Sequence, residues 1–362
     1  MKNNLSICLV GGEDAHKRIE LSQHLIKKGF DVTILGTKSY QYPSNVTFVK
    51  YELNRKSNLF SDIVTISQYR RILKKREFDI VQTFDTKPAF ILPISAIGLK
   101  VKIVRTITGL GTIFMSEEIK YKIFRAIYHL LHRSIRAKVA HTTFQNADDR
   151  NYFIKKGLVD KEKSSLIFGS GIDLLQYTSP PPKTNKRFTF ICVARLVYEK
   201  GIVNYLEAAK ICSEKGYDFN FTLVGPLEEN SNKLNKQILE DYKDYIDWLG
   251  SRKDVKNLLA QSNAFVLPTF REGFSRVLLE ASAMGLPSIT TNVPGTREIV
   301  RTNKEGLLVD VNNSNELAHA MIKMATDKKL HNICSVNAKN HVKQFGLDRI
   351  SNQYINLYRK IG

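Results

Sequence analysis

A chain of 362 residues, 43% hydrophobic and 25% charged, has the make-up of a soluble globular protein with two or slightly more domains. That excludes disorder, a collagen helix or a coiled coil as descriptions of the whole, and four scattered cysteines (Cys8, Cys192, Cys212, Cys334) indicate neither a disulfide framework nor a zinc site. The formal net charge of +20 is uneven: 32 Lys and Arg stand against 16 Asp and Glu up to residue 187, and 23 against 19 beyond it. An anionic membrane surface or another polyanion is therefore expected to touch the first half alone, a lysine-biased solvated surface being the plainer alternative.

The apolar stretch 5–10, ended by Gly11 and Gly12, is too short for a secretory leader and reads as an opening strand. Further strands are expected at 32–35, 46–51, 79–83, 102–107, 139–144 and 165–168, with helices at 17–28, 61–75, 118–136 and 147–156. Apolar strands separated by helices imply buried parallel strands in right-handed βαβ units. The run 88–99 comes nearest to a membrane span, but its 12 residues and two prolines fall short of one. Three successive prolines, Pro180, Pro181 and Pro182, then interrupt the pattern and mark 179–187 as a linker. Strands resume at 188–193, 219–224, 245–249, 264–267, 288–291 and 307–309, with helices at 203–215, 232–243, 275–284 and 315–326. The fold class is α/β: two doubly wound parallel-sheet domains, 1–178 and 188–345, expected to bind ligand in a central cleft beyond the carboxyl ends of their strands.

Gly12, between the first strand and the first helix, suits a backbone that approaches a phosphate, although Glu13 and Asp14 beside it would repel one; a plain tight turn is the alternative. In the second half, Arg195 and Lys200 lie five apart across a strand-to-helix turn, where two cations can flank an anion at a helix start. A surface pair of Lys200 with Glu199 is the bland reading. Downstream, Glu272 sits on a loop beyond a strand, Gly273 permits close backbone approach, and Ser275 is a natural N-cap for a helix stopped by Gly285 and Pro287. Glu280 lies in the apolar part of that helix and needs a partner, either a sugar diol or Arg276 one turn earlier. The amides of Gly273, Phe274 and Ser275 would suit an anion or a hydroxyl-rich ligand.

Glu272 and Glu280 form an E-x7-E motif which, with Arg195 and Lys200, resembles the retaining nucleotide-sugar glycosyltransferases of family 4, of GT-B fold. Leu249-Gly250 resembles the family's nucleobase loop, and Val293-Pro294-Gly295-Thr296-Arg297-Glu298 its downstream segment. Asp85-Thr86-Lys87-Pro88, Thr108-Gly109-Leu110-Gly111 and Gly169-Ser170-Gly171-Ile172-Asp173 are similar to a bacterial subgroup that builds capsule, O-antigen and lipid-linked glycans.

The resemblance implies that Arg195 and Lys200 hold the donor diphosphate, that Glu280 accepts from the ribose hydroxyls, and that Glu272 with the three following amides positions the sugar. Leu249 and Gly12 would complete the donor site. His16, Lys87, Thr108 and Gly109 would meet the acceptor. Many members carry a histidine where this chain has Thr108, so His16 is the candidate for that role, a capping or surface histidine being its plainer reading; Lys87 is either an acceptor-phosphate contact or a solvated lysine. A last segment, 346–362, is expected to cross back to the first domain.

The segment 120–138 carries Lys120, Lys122, Arg125, Arg133, Arg136 and Lys138 with no acid, interleaved with Ile123, Phe124, Ile127, Leu130, Leu131 and Ile135. With the basic run 69–76 it reads as an interfacial helix for anionic lipid, or else as a packed helix with a basic solvent face. No two aspartates lie two positions apart, so the metal-binding D-x-D of the other glycosyltransferase fold is missing and neither metal nor cofactor is expected.

The expectation is a metal-independent, retaining enzyme that moves a sugar, N-acetylhexosamine by the subgroup resemblance, from a UDP-sugar to a polyprenyl-diphosphate-linked acceptor. It would be cytoplasmic, peripheral on the inner face of the cytoplasmic membrane. A sugar-nucleotide 2-epimerase-like enzyme of the same fold is the alternative, with little reason for a basic first domain. Nucleic-acid binding is disfavoured because Tyr69, Phe124 and Tyr128 are too few to stack bases.

Overall fold

The computed structural model describes residues 4–54, 59–111, 114, 117–177, 187–228 and 234–362. The chain forms two compact units, Met1–Gly171 with Leu347–Gly362, and Ile172–Gly346. The first unit begins β1 (Ser6–Val10), α1 (Ile19–Lys27), β2 (Asp31–Gly36), β3 (Thr47–Lys50), α2 (Leu59–Lys75), β4 (Ile80–Thr83) and α3 (Thr86–Ser95). It continues with β5 (Lys102–Ile107), α4 (Ile119–Ile135), β6 (His141–Phe144), α5 (Ala147–Lys155) and β7 (Ser164–Leu166). Its seven strands run parallel in the order β3-β2-β1-β4-β5-β6-β7. Central strands such as Ile7 to Val10 are wholly buried, as parallel strands covered on both faces by helices must be.

The expected helix 17–28 divides into a 3-10 turn, Ala15–Arg18, and α1. The expected strand 139–144 begins only at His141, because Arg136–Lys138 closes a 3-10 turn after α4. The run 88–99 is largely α3, which holds Pro88 and Pro93; burial of Ala89, Ile91 and Leu92 offsets the backbone bond that Pro93 removes.

The second unit contains β8 (Phe188–Val193), α6 (Ile202–Glu214), β9 (Phe219–Val224), α7 (Lys236–Asp241), β10 (Asp247–Trp248) and α8 (Val255–Gln261). It closes with β11 (Ala264–Leu267), α9 (Arg276–Ala283), β12 (Ser288–Thr291), β13 (Gly306–Val309), α10 (Ser314–Thr326) and α11 (Lys328–His341). Its sheet is again parallel, in the order β10-β9-β8-β11-β12-β13. The strand expected at 245–249 shrinks to the two residues of β10. All four cysteines are buried free thiols.

α12 (Leu347–Ile361) belongs to the first unit. Ile350, Tyr354, Ile355, Leu357 and Tyr358 form one apolar stripe at helical spacing and join a core with Ile7, Leu9 and Leu25. Tyr354 donates to the Gly169 carbonyl at 3.2 Å, and Tyr358 to Gln82 Oε1. The first unit gives way to the second at Gly171, earlier than the expected 178; the proline-rich segment, Ser179 to Lys186, lies outside the described residues.

Candidate functional site

In the second unit, the carboxyl ends of the strands gather the residues singled out above. After β8, Arg195 is followed by the 3-10 turn Tyr198–Lys200, and Gly201 opens α6 in the left-handed region at φ 69°. A Cβ on Gly201 would lie 1.9 Å from the Pro268 carbonyl oxygen, so only glycine lets this turn lie against the end of β11. The Glu199 carbonyl receives the Phe270 amide at 2.8 Å and the Thr269 hydroxyl at 3.3 Å, which locks the two loops together. The Glu272 loop rests on the turn after β12: the Glu272 amide donates to Pro294 at 3.3 Å and the Ser275 amide to Gly295 at 3.2 Å. Gly295, at φ 85°, has no room for a side chain there, since its Cβ would lie 2.7 Å from the Glu272 carbonyl.

This geometry brings together Lys200 and Glu272, whose Nζ and Oε1 are 2.5 Å apart with 22% and 12% of their side chains exposed. The expected surface pair of Lys200 with Glu199 is not the one formed. Arg195 pairs instead with Glu228, beyond β9, at 2.6 Å. Glu280 is half-buried and meets Arg276 Nε at 3.2 Å, the second of the two partners weighed from the sequence. Ser275 caps α9 by position, but its side chain makes no capping bond and its amide is taken by Gly295, so it is not the open donor expected. Phe274 packs edge-on against Phe345 at 5.0 Å. Leu249 continues from β10, its amide on the Leu223 carbonyl at 2.9 Å, and its side chain is partly exposed.

The first unit tells a different story at several positions. The Gly12 amide donates to Asp85 Oδ2, and its carbonyl accepts from Ala15 and Thr37, so this backbone ties β1 to the start of α3 and offers no open amide to a phosphate. His16 stands in the 3-10 turn, half-buried, with its ring stacked 4.7 Å from Tyr40. Lys87 is not solvated: it pairs with Asp62 at 2.6 Å and reaches the Asn54 carbonyl at the first turn of α3. Thr108 and Gly109 follow β5 and line a cavity of about 10 Å³ with Thr86, Phe90, Tyr128 and His132. Among the described residues, no group of three or more His, Cys, Asp or Glu is arranged to hold a metal ion.

Known proteins share this plan and its sequence. The family described as "Glycosyl transferases group 1" matches residues 177–341, and "Glycosyl transferase 4-like" matches 6–142. The chain is 30% identical to the UDP-Gal:alpha-D-GlcNAc-diphosphoundecaprenol alpha-1,3-galactosyltransferase of Escherichia coli, over 94% of this chain and 93% of that one. It belongs to this glycosyltransferase family. It is also 25% identical to the N,N'-diacetylbacillosaminyl-diphospho-undecaprenol alpha-1,3-N-acetylgalactosaminyltransferase of Campylobacter jejuni, over 86% of this chain and 85% of that one. The crystal structure of the Anabaena HepE protein with UDP and glucose superposes with a TM-score of 0.79 at 15% identity, covering 99% of this chain and all of that one. The two parallel α/β units are those of the GT-B fold.

In this glycosyltransferase, Glu228 was not anticipated, because nothing in Leu227-Glu228-Glu229 distinguishes it from an ordinary polar loop. Its pair with Arg195 is more than a third exposed on both sides, so it is screened and weak. On the reading, proposed below, that Arg195 holds the diphosphate of a UDP-sugar, Glu228→Gln is expected to tighten UDP binding by about two- to fivefold, by freeing Arg195 without removing it. Calorimetric titration checks this; unchanged or weaker binding would mean that Glu228 does not compete for the guanidinium.

The basic segment of the glycosyltransferase also resolves. α4 buries Tyr128, His132 and Ile135, while Ile119, Ile123, Phe124, Ile127, Leu130 and Leu131 are all exposed, Ile119 by 77% and Leu130 by 68%. The apolar stripe read from the sequence is therefore mostly not core. Lys120 pairs with Glu118 at 2.9 Å, Lys122 and Arg125 with Glu117 at 3.7 and 3.3 Å, and Arg136 with Asp160. Arg133 donates to the Lys156 carbonyl at 3.1 Å. The second basic run is different: Tyr69 and Leu73 are core, and Arg70 caps the end of α3 through the Ser95 and Ile97 carbonyls, at 3.1 and 2.8 Å. Among the described residues no helix is long and apolar enough to cross a membrane.

Proposed function

We propose that this protein is a retaining, metal-independent glycosyltransferase that moves a sugar from a UDP-sugar to a lipid-diphosphate-linked glycan at the inner face of the cytoplasmic membrane. The observation that carries the reading is the Lys200–Glu272 pair set beside Arg195 at the carboxyl edge of the second sheet. The relatives from Escherichia coli and Campylobacter jejuni, whose names specify diphosphoundecaprenol-linked acceptors, support the acceptor class. HepE, crystallised with UDP and glucose, supports a uridine nucleotide. An N-acetylhexosamine or a hexose is the sugar these names suggest.

When the bond between the sugar's anomeric carbon and the diphosphate breaks, negative charge grows on the departing phosphate. Two cations on one sheet edge stabilise that charge more than they stabilise the intact donor, which is what lowers a barrier. Arg195 and Lys200 carry that role here, with no metal required. Glu272, fixed by its backbone bond to Pro294 and by Lys200, accepts from hydroxyls of the transferred sugar. Glu280, leaving Arg276, accepts from the ribose hydroxyls. The two glutamates are not a glycosidase-type acid and base: the phosphate leaving group needs little protonation, and a water-activating base would waste donor. Gly12 drops out of the donor site in this reading, and the acceptor is received by the first unit near Lys87, Thr108 and Gly109.

Two charge-assisted hydrogen bonds to a ribose would be lost in Glu280→Ala, so UDP affinity is expected to fall by about 10²-fold, with transfer abolished at ordinary donor concentrations. The measurement is a calorimetric panel of nucleoside diphosphates and nucleotide sugars in the presence of EDTA. Binding of UDP by the unaltered chain and its loss in Glu280→Ala support the reading. Binding that needs a divalent cation would remove metal independence, and near-normal affinity in the variant would remove the ribose role.

A further inference from the structure

We propose that the small cavity against His132 in the first unit is a binding site for a single oxygen atom, held by the imidazole Nε2–H. The starting point is Arg105, on the central strand β5, with none of its surface exposed. Its Nε donates to Thr142 Oγ1 at 3.0 Å, one terminal nitrogen meets His132 Nδ1 at 2.5 Å, and the other donates to the Leu158 carbonyl at 3.2 Å. All three are neutral acceptors, and among the described residues no carboxylate forms an ion pair with this guanidinium.

An arginine can only donate, so His132 Nδ1 must be the bare, accepting nitrogen and the ring proton must sit on Nε2. Burial, together with the Arg105 charge, drives the imidazole's pKa far below its ordinary 6.5 and keeps it neutral. Burial lowers Arg105 only to about 10, so it remains a cation behind the ring. A cation bonded to Nδ1 polarises the imidazole and makes Nε2–H a stronger donor.

That donor is buried and has no hydrogen-bond partner among the described residues. Leaving a buried N–H unmade is costly, which is why nearly all such groups find an acceptor. His132 lines the cavity described above and packs against the rings of Phe90 and Tyr128, each 4.2 Å away. The remaining walls are Thr86 and Ala89 of α3 and the segment Thr106 to Gly109 at the end of β5. At about 10 Å³ the space is on the scale of one water-sized oxygen. The oxygen is either a resident water or a hydroxyl or phosphate oxygen of the acceptor, and the second source rests on the proposed transferase reading.

Crystals of the unaltered chain, alone and with a short-chain analogue of N-acetylglucosaminyl diphosphate polyprenol, distinguish the two. An oxygen within hydrogen-bonding distance of His132 Nε2 in both crystals identifies a water; one present only in the complex identifies a substrate atom. His132→Asn keeps an acceptor where Nδ1 stands and deletes the Nε2–H. The oxygen is expected to leave, and the acceptor KM to rise about tenfold if that oxygen is the substrate's. Nitrogen-15 NMR of the unaltered chain tests the tautomer independently of how well the variant folds: a neutral Nε2–H ring is expected down to pH 5. An empty cavity in both crystals, an oxygen that survives His132→Asn, or a ring protonated at Nδ1 would overturn the proposal. Should no nucleotide sugar be turned over, the transferase reading fails while the crystal of the free chain still decides the site.

Discussion

Replacing Arg195 and Lys200 together by alanine is expected to lower kcat for sugar transfer by about 10²–10³-fold, the scale seen when a preorganised transition-state donor is removed. The two cations do different amounts of work. Arg195 is 61% exposed and only loosely held by Glu228, so on the proposed reading its own part is expected to be chiefly capture of the diphosphate. Lys200 is 22% exposed and faces Glu272, itself 12% exposed, so water screens this pair poorly. Most of the loss should therefore appear in Lys200→Ala alone and in kcat more than in donor KM. Removing Lys200 also leaves the Glu272 carboxylate without its cation, and that stranding could slow the enzyme by shifting the loop. The double variant Lys200→Ala with Glu272→Gln, read against Glu272→Gln alone, separates the two causes: if stranding were the reason, Lys200→Ala would cost little more once residue 272 is uncharged. A kcat within about threefold of the unaltered enzyme in Arg195→Ala/Lys200→Ala would sink the leaving-group role.

Much of the fold was legible because its signals are local. The strands expected at 102–107 and 188–193 agree with the observed elements to the residue, because consecutive apolar residues such as Ile103-Val104 and Phe190-Ile191-Cys192-Val193 mark a strand covered on both faces. α11 was not anticipated: its buried contacts, Leu330, Cys334 and Ala338, are diluted by lysines, asparagines and histidines, so the helical period is faint. At the candidate site, the sequence brought Glu272, Glu280, Arg195 and Lys200 into view by spacing, but which carboxylate meets which cation depends on loops far apart in the chain. Lys200 is 72 residues from Glu272, and Arg195 is 33 from Glu228. The His132 cavity did leave one trace, an arginine inside the buried strand Lys102–Ile107, where a charge has to be satisfied internally. His132 itself was hidden inside a segment read for its basic residues.

Reversing Lys120, Lys122, Arg125, Arg133 and Arg136 to glutamate is expected to weaken binding to vesicles rich in anionic lipid by a hundredfold or more, since each basic group near such a surface contributes roughly fivefold in partitioning. The partners seen in the structure decide what the result means. Lys120 and Lys122 are exposed and their pairs with Glu118 and Glu117 are screened, so both remain available to lipid phosphates. Arg133 and Arg136 also hold the 156–160 loop, through the Lys156 carbonyl and Asp160, so their reversal carries a folding cost that Tm must monitor. A second variant, Phe124→Ser with Ile127→Ser, keeps every charge and removes apolar surface that is 53% and 49% exposed. Salt separates the two contributions: raising ionic strength shortens the screening length and should release the unaltered protein only in part, because the apolar stripe is indifferent to salt. Full release by salt would leave the stripe without a role at the bilayer. Vesicle binding unchanged in both variants would return α4 to an ordinary helix with an unusually apolar exposed face.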